Sequence, residues 1–115
     1  MPANILVADD DKVMLGVYTR IFSGTGYSLS LASSFAEAAG LIAANDYDLL
    51  ITDQLLNDGL GTDLIRLFEE KRAGAKSLLV TGSMAGIDPG QLPEVCFQKP
   101  FDLDEFMAAV ACALL

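Results

Sequence analysis

Residues 49–53 read Leu49-Leu50-Ile51-Thr52-Asp53: a short apolar run closed by a single carboxylate. Its length and its lack of polar alternation fit a strand buried on both faces, as in a parallel sheet covered by helices. Three other stretches follow the same plan. They are Ile5-Leu6-Val7-Ala8-Asp9-Asp10, Leu78-Leu79-Val80-Thr81-Gly82 and Val95-Cys96-Phe97-Gln98-Lys99-Pro100. Each keeps its polar residues at the carboxyl end, which is where an open parallel sheet gathers ligands and chemistry. Folded together, they bring three carboxylates, a hydroxyl and an amine to one cleft. That set suits a divalent cation and a phosphoryl group.

The segments between these runs supply the covering helices. Residues 12–23 place Met14, Val17, Tyr18, Ile21 and Phe22 at helical spacing, and Gly24-Thr25-Gly26 ends the helix. Residues 27–32 alternate leucine with serine and predict an edge strand. Ser34-Phe35-Ala36-Glu37 and Asp102-Leu103-Asp104-Glu105 both have capping-box spacing and open helices. A further helix is expected over residues 62–72. The fold class is therefore α/β: a three-layer, doubly wound, five-stranded parallel sheet of flavodoxin-like order 2-1-3-4-5. In that order the four site-bearing strands are neighbours, and the edge strand contributes nothing to the cleft. Between Thr81 and Lys99, the residues Gly82, Gly86, Pro89, Gly90 and Pro93 are poor helix material, so a fourth helix there is expected to be irregular or shortened.

Composition narrows the function. With 115 residues and 52% hydrophobic content, the sequence is expected to form one domain over residues 1–115, with no output domain. The net charge of −9, with seven basic residues, argues against a nucleic-acid partner and against an anionic membrane surface. No apolar stretch has the length of a membrane span, and Met1-Pro2-Ala3-Asn4 lacks the basic start of a signal peptide. The expected location is cytoplasmic. Cys96 and Cys112 have no partner at metal-ligand spacing and read as small core residues. Histidine is absent, which removes Ser-His-Asp catalysis, the common zinc sites and any phosphohistidine on this chain.

The carboxylates carry the chemistry. Asp9, Asp10 and Asp53 at adjacent strand ends repel one another unless a cation intervenes, and hard oxygen ligands with room for water suit Mg²⁺. Asp53, fixed at the end of an apolar strand, can act as a nucleophile toward phosphorus. Asp9-Asp10-Asp11 reads equally well as the acidic cap of the next helix. Alone, Lys99 reads as a lysine reaching for water and Thr81 as an ordinary strand residue. Beside Asp53, Lys99 can reach across to the carboxylate, while the Thr81 hydroxyl and the Gly82 N–H can donate to a phosphoryl oxygen.

With these residues in this order, the chain resembles the receiver domains of bacterial two-component response regulators over essentially its whole length. The likeness rests on Asp9-Asp10, Asp53, Thr81-Gly82 and Lys99-Pro100. It implies that Asp53 is the phosphoacceptor and that Asp10, Asp53 and the Leu55 carbonyl bind Mg²⁺, with Asp9 assisting through water. It implies that Thr81 bonds the phosphoryl group, that Lys99 pairs with it, and that the Lys99–Pro100 bond is cis. The phosphoryl donor would be a sensor histidine kinase or a histidine phosphotransfer protein, and output would run through protein contact to a further target. Such a chain is a signalling phosphoacceptor rather than an enzyme, promoting only its own phosphorylation and dephosphorylation.

The chain departs from the family pattern in three places. Asn57 stands where the family has a proline, although Gly61 keeps the glycine that follows. Cys96 stands where the family has a switch aromatic, with Phe97 expected on the other face of the strand. The third is the shortened fourth-helix region between Thr81 and Lys99, which favours an alternative, a pseudo-receiver that binds proteins without being phosphorylated. Two enzyme or carrier readings fit less well. A haloacid-dehalogenase-type phosphatase needs a second aspartate two positions after Asp53, where Leu55 stands. A flavin carrier needs a hydroxyl- and glycine-rich phosphate loop where Asp9-Asp10-Asp11 stands.

Overall fold

The computed structural model of the chain describes residues 3–82, 95–99 and 101–115. In chain order these form β1 (Asn4–Ala8), α1 (Lys12–Phe22), β2 (Ser28–Ala32), α2 (Phe35–Ala44) and β3 (Leu49–Asp53). There follow β4 (Leu55–Leu56), β5 (Gly59–Leu60), α3 (Gly61–Lys71), β6 (Lys76–Thr81), β7 (Val95–Gln98) and α4 (Leu103–Ala113). The main sheet has the order β2-β1-β3-β6-β7, parallel throughout. This is the flavodoxin-like order that the sequence predicts. The expected irregular helix between Thr81 and Lys99, like the expected cis Lys99–Pro100 bond, lies outside the described residues.

Period-2 alternation along the strands divides the core into two layers. Leu6, Ala8, Leu50 and Leu79 face α2 and α3, where they meet Ala38, Ile42, Leu64, Ile65 and Phe68. Ile5, Val7, Leu49, Ile51, Leu78 and Val80 face α1 and α4, against Tyr18, Phe22, Phe106 and Val110. Each large apolar side chain buried this way contributes about 1.5–3 kcal/mol. A one-residue slip would exchange the two faces of a strand, so this packing fixes the register that positions the polar ends. Cys96 packs on the α2/α3 side and Phe97 on the α1/α4 side, as the strand period requires. Both cysteines are free, but Cys112 is exposed on α4 and is not a core residue.

The helix ends follow the chemistry of their flanking residues. Gly24 and Gly26 take φ of 80° and 85°, in the left-handed region, and turn the chain from α1 into β2. Ser34 Oγ accepts from Glu37 N at 3.0 Å, and the Glu37 carboxylate reaches back to Ser33 N at 2.7 Å, one residue earlier than a regular capping box. Asp102 accepts from Glu105 N at 2.9 Å. The sequence reading does not contain the small β4–β5 hairpin, in which Leu55 pairs with Leu60 and Leu56 with Gly59. Nothing in the alternation of residues 55–60 marks a strand pair. The hairpin is imposed from outside, by Gly61 N donating to Gln54 O at 2.8 Å and by contacts with α2.

Candidate functional site

The Asp9-Asp10-Asp11 triplet splits between two tasks. Asp11 is the N-cap of α1, accepting from Val13 N at 2.9 Å. Asp9, 1% exposed, turns into the sheet mouth: its Oδ1 accepts from Asp11 N at 2.9 Å and its Oδ2 from Lys99 Nζ at 3.0 Å. Capping therefore explains Asp11 and leaves the other two for the cleft. Lys99 Nζ also reaches Asp53 Oδ2 at 3.4 Å. Its position follows from β7, since Lys99 N donates to Thr81 O at 2.7 Å just past the last ladder pair, Thr81 with Gln98.

Asp9, Asp10 and Asp53 each offer a carboxylate oxygen, and these oxygens lie within 4.8 Å of one another. Three carboxylates and one ammonium leave a formal charge of −2 (−3 and +1), which one divalent cation cancels. Burial pushes the Asp53 carboxyl above its ordinary value; the Lys99 ammonium opposes that shift and the Asp9 carboxylate adds to it. Burial pulls Lys99 down, but the Asp9 hydrogen bond and the Asp53 charge outweigh it and raise the group. Asp9 thus has a partner on each oxygen, and Asp53 shares the Lys99 ammonium with it. The donor set fits a hard, oxygen-seeking cation such as Mg²⁺.

Thr81 is buried at the carboxyl end of β6. The β3–β6 register pairs Asp53 with Val80, so Thr81 stands one position beyond the level of Asp53. Gly82 follows it and is exposed. Leu55 lies two residues past Asp53 with its side chain 65% exposed. The hydrogen-bonded pairing of Gly61 with Gln54 makes Leu55–Leu60 the next, non-hydrogen-bonded pair, which directs the Leu55 backbone groups out of the hairpin. All the residues expected at the site therefore lie at the carboxyl edge of the sheet or on the hairpin beside it. β2, the edge strand, supplies none.

Several supporting residues have no role at the site in the sequence reading, which names Gly61 only as a family glycine and Tyr18 only for its helical spacing. Gln54, buried, accepts from Thr62 N at 2.9 Å and caps α3, whose N-cap Leu60 has no side-chain acceptor. Gly61 is required by contact, because a Cβ there would lie 2.1 Å from Asp53 O. Asp58 accepts from Phe35 N and Ala36 N at the start of α2. Buried Tyr18 on α1 lies close enough to Asp9 and Asp53 for their charges to add to burial in raising its phenol. A glutamine or an aspartate next to a turn carries no sequence signal of its own, since its partner comes from another element.

Comparison with known proteins agrees with this geometry. A family model described as "Response regulator receiver domain" matches residues 5–111. The DNA-binding transcriptional regulator NtrC of Rhizobium meliloti (strain 1021) is 32% identical over 97% of the chain and 24% of its own length. Response regulator MprA of Mycobacterium sp. (strain KMS) is 32% identical over 99% of the chain and 51% of its own length. The chain thus spans about a quarter to a half of these relatives. In fold it is similar to a CheY-like receiver domain protein from Methanospirillum hungatei JF-1 (TM-score 0.89, 23% identity, 99% of this chain and 94% of that one). It is also similar to response regulator TrrA of Thermotoga maritima, solved with Mg²⁺ and BeF (TM-score 0.86, 24% identity, 99% and 100%).

Proposed function

The chain belongs to the response regulator receiver domain family, and on that premise we propose that it is a phosphoacceptor of a two-component phosphorelay, modified on Asp53. The observation that carries this reading is the convergence of Asp9, Asp10, Asp53 and Lys99 at one edge of the sheet. The phosphoryl donor is a phosphohistidine on a sensor kinase or a histidine phosphotransfer protein, because the chain has no histidine of its own. Residues 1–115 act as one receiver domain.

In the transfer, an Asp53 carboxylate oxygen attacks phosphorus while the P–N bond of the donor breaks, and the imidazole leaves with the bonding electron pair. Asp10, Asp53 and the Leu55 carbonyl would hold Mg²⁺, with Asp9 assisting through water; the ion would supply charge neutralisation for the phosphoryl oxygens. Lys99 is held by Asp9 on the Asp53 side of the cleft, where its ammonium pairs with the charge that arrives. The Thr81 hydroxyl and the Gly82 N–H donate to phosphoryl oxygens from the neighbouring strand. The aspartyl phosphate adds about −1.5 to −2 of charge. That charge is read through protein contact, and no nucleic-acid or membrane partner is assigned to this domain. No helix among the described residues is long and apolar enough to cross a membrane, and the location proposed is cytoplasmic. The chain turns over no substrate; it promotes only its own phosphorylation and hydrolysis.

Incubation with acetyl phosphate and Mg²⁺ tests the reading by intact mass. One added phosphoryl group that forms only when Mg²⁺ is present, and does not form in Asp53→Asn, supports it. A chain that stays unmodified with acetyl phosphate and with phosphorylated histidine donors fits the pseudo-receiver alternative, toward which the Gly- and Pro-rich sequence between Thr81 and Lys99 points.

A further inference from the structure

The β4–β5 hairpin is too short to hold its own shape, since it contains two residue pairs and two-residue strands are marginal in water. Its turn holds Asn57 and Asp58, with no proline to fix a φ. The hairpin is nevertheless fastened to α2 by two contacts. Asp58 Oδ1 accepts from Phe35 N at 2.7 Å and Asp58 Oδ2 from Ala36 N at 3.0 Å, so both carboxylate oxygens grip consecutive amides of the helix start. The Phe35 ring lies over Gly59 so closely that a Cβ there would stand 2.6 Å from Phe35 Cδ2.

We propose that Asp58 is a positioning residue for the acidic cleft: by gripping the N-terminus of α2 it holds the 55–60 hairpin so that the Leu55 carbonyl is presented to a cation at Asp53. The inference rests on the reading of Asp53 and Leu55 as cation ligands. Ser34 caps α2 from within the local chain through Glu37 N alone, and leaves the Phe35 and Ala36 amides to another acceptor. Asp58 instead comes from 22 and 23 residues away and spans two elements. The Ala36 and Phe35 N–H groups hold its carboxyl below the ordinary value, so the grip is closed at neutral pH. A restraint that a fixed proline φ could supply is here supplied by a charge-assisted pair of hydrogen bonds.

Calorimetric titration of Mg²⁺ into the full chain tests this, with thermal unfolding recorded beside it. Asp58→Ala is expected to weaken Mg²⁺ binding about ten-fold, the scale on which outer-shell positioning groups act. Ser34→Ala loosens the same helix end without touching the hairpin, so its Mg²⁺ affinity stays at the wild-type value even where its Tm falls as far. Adding Asn57→Pro to Asp58→Ala restores the turn by another route and recovers most of the lost affinity; Leu56 before it is already extended, as a proline requires. Should Asp58→Ala not fold, Asp58→Asn, which keeps one acceptor, shows a smaller loss and the same rescue. Wild-type affinity in the Asp58 variants, an equal loss in Ser34→Ala, or no rescue by proline overturns the inference alone. A wild-type chain that takes up no Mg²⁺ overturns the cation reading beneath it as well.

Discussion

At the scale of single residues, the cleft is governed by how few positive charges face its carboxylates. Asp9 is 1% exposed, and Lys99 Nζ is its ionic partner at 3.0 Å. Replacing Lys99 by methionine leaves that buried charge without a counter-ion, and the Mg²⁺-free protein is expected to lose about 3 kcal/mol in urea unfolding. Saturating Mg²⁺ returns a large part of the loss, because the cation then supplies the missing charge. Asp53 behaves in the opposite sense. Its folded-state pKa lies above its ordinary value of 3.8, so between those two values the folded chain holds a proton that the unfolded chain has released. Stability is therefore greatest below that window and declines as pH rises through it. In Mg²⁺-free urea titrations, the stability of Asp53→Asn relative to wild type should rise across the window and level off above it. With Mg²⁺ saturating, the sign reverses, since the ionised carboxylate is the ligand. The residue identities at the sheet mouth were legible from the sequence, because each polar residue closes an apolar run. Which carboxylate of Asp9-Asp10-Asp11 caps the helix was not: capping and clustering use the same residue type, and only the direction of each side chain separates them.

At the scale of elements, the site depends on the junction from β3 to α3. Gly61 N donates to Gln54 O, and the space for a Gly61 Cβ is already taken by Asp53 O, 2.1 Å away. Gly61→Ala must push the backbone of the proposed phosphoacceptor out of place. The expected cost is about 3 kcal/mol, with a loss of Mg²⁺ affinity that calorimetry on the folded fraction would register. If Gly61→Ala keeps wild-type stability and affinity, that close approach has no consequence for the site. The five long strands and the helices around them were readable, with ends displaced by a residue or so, because burial on both faces and capping spacing are strong local signals. The β4–β5 hairpin was not readable. Its two pairs are held by the flanking backbone bond from Gly61 to Gln54 and by the Asp58 grip on α2, and neither a backbone bond nor a partner 22 to 23 residues away leaves a local side-chain pattern. The aromatic at residue 97 was assigned to the correct face by the strand period alone, since Phe97 packs 5.6 Å from Phe106 on the α1/α4 side while Cys96 lies on the other.

At the scale of the whole molecule, two dry layers of core clamp a parallel sheet whose carboxyl edge carries the charge. Leu49, Leu50, Ile51, Leu79 and Val80 are fully buried, so the central strands are fixed and the charged groups at their ends are pre-positioned. A modification at Asp53 places its added charge beside Lys99 and Thr81, at the end of β6 and β7. An aromatic cluster lies close by, with Phe101 and Phe106 rings 4.7 Å apart and Tyr18 and Phe106 6.0 Å apart. The central claim is that Asp53 itself becomes an acyl phosphate. The direct measurement is borohydride reduction of the chain after treatment with acetyl phosphate and Mg²⁺, followed by peptide mass mapping. An aspartyl phosphate is reduced at its carbonyl to homoserine, so the account predicts that product at residue 53, dependent on Mg²⁺. Reduction at another carboxylate, or a chain that acquires no reducible phosphate under any donor, contradicts it.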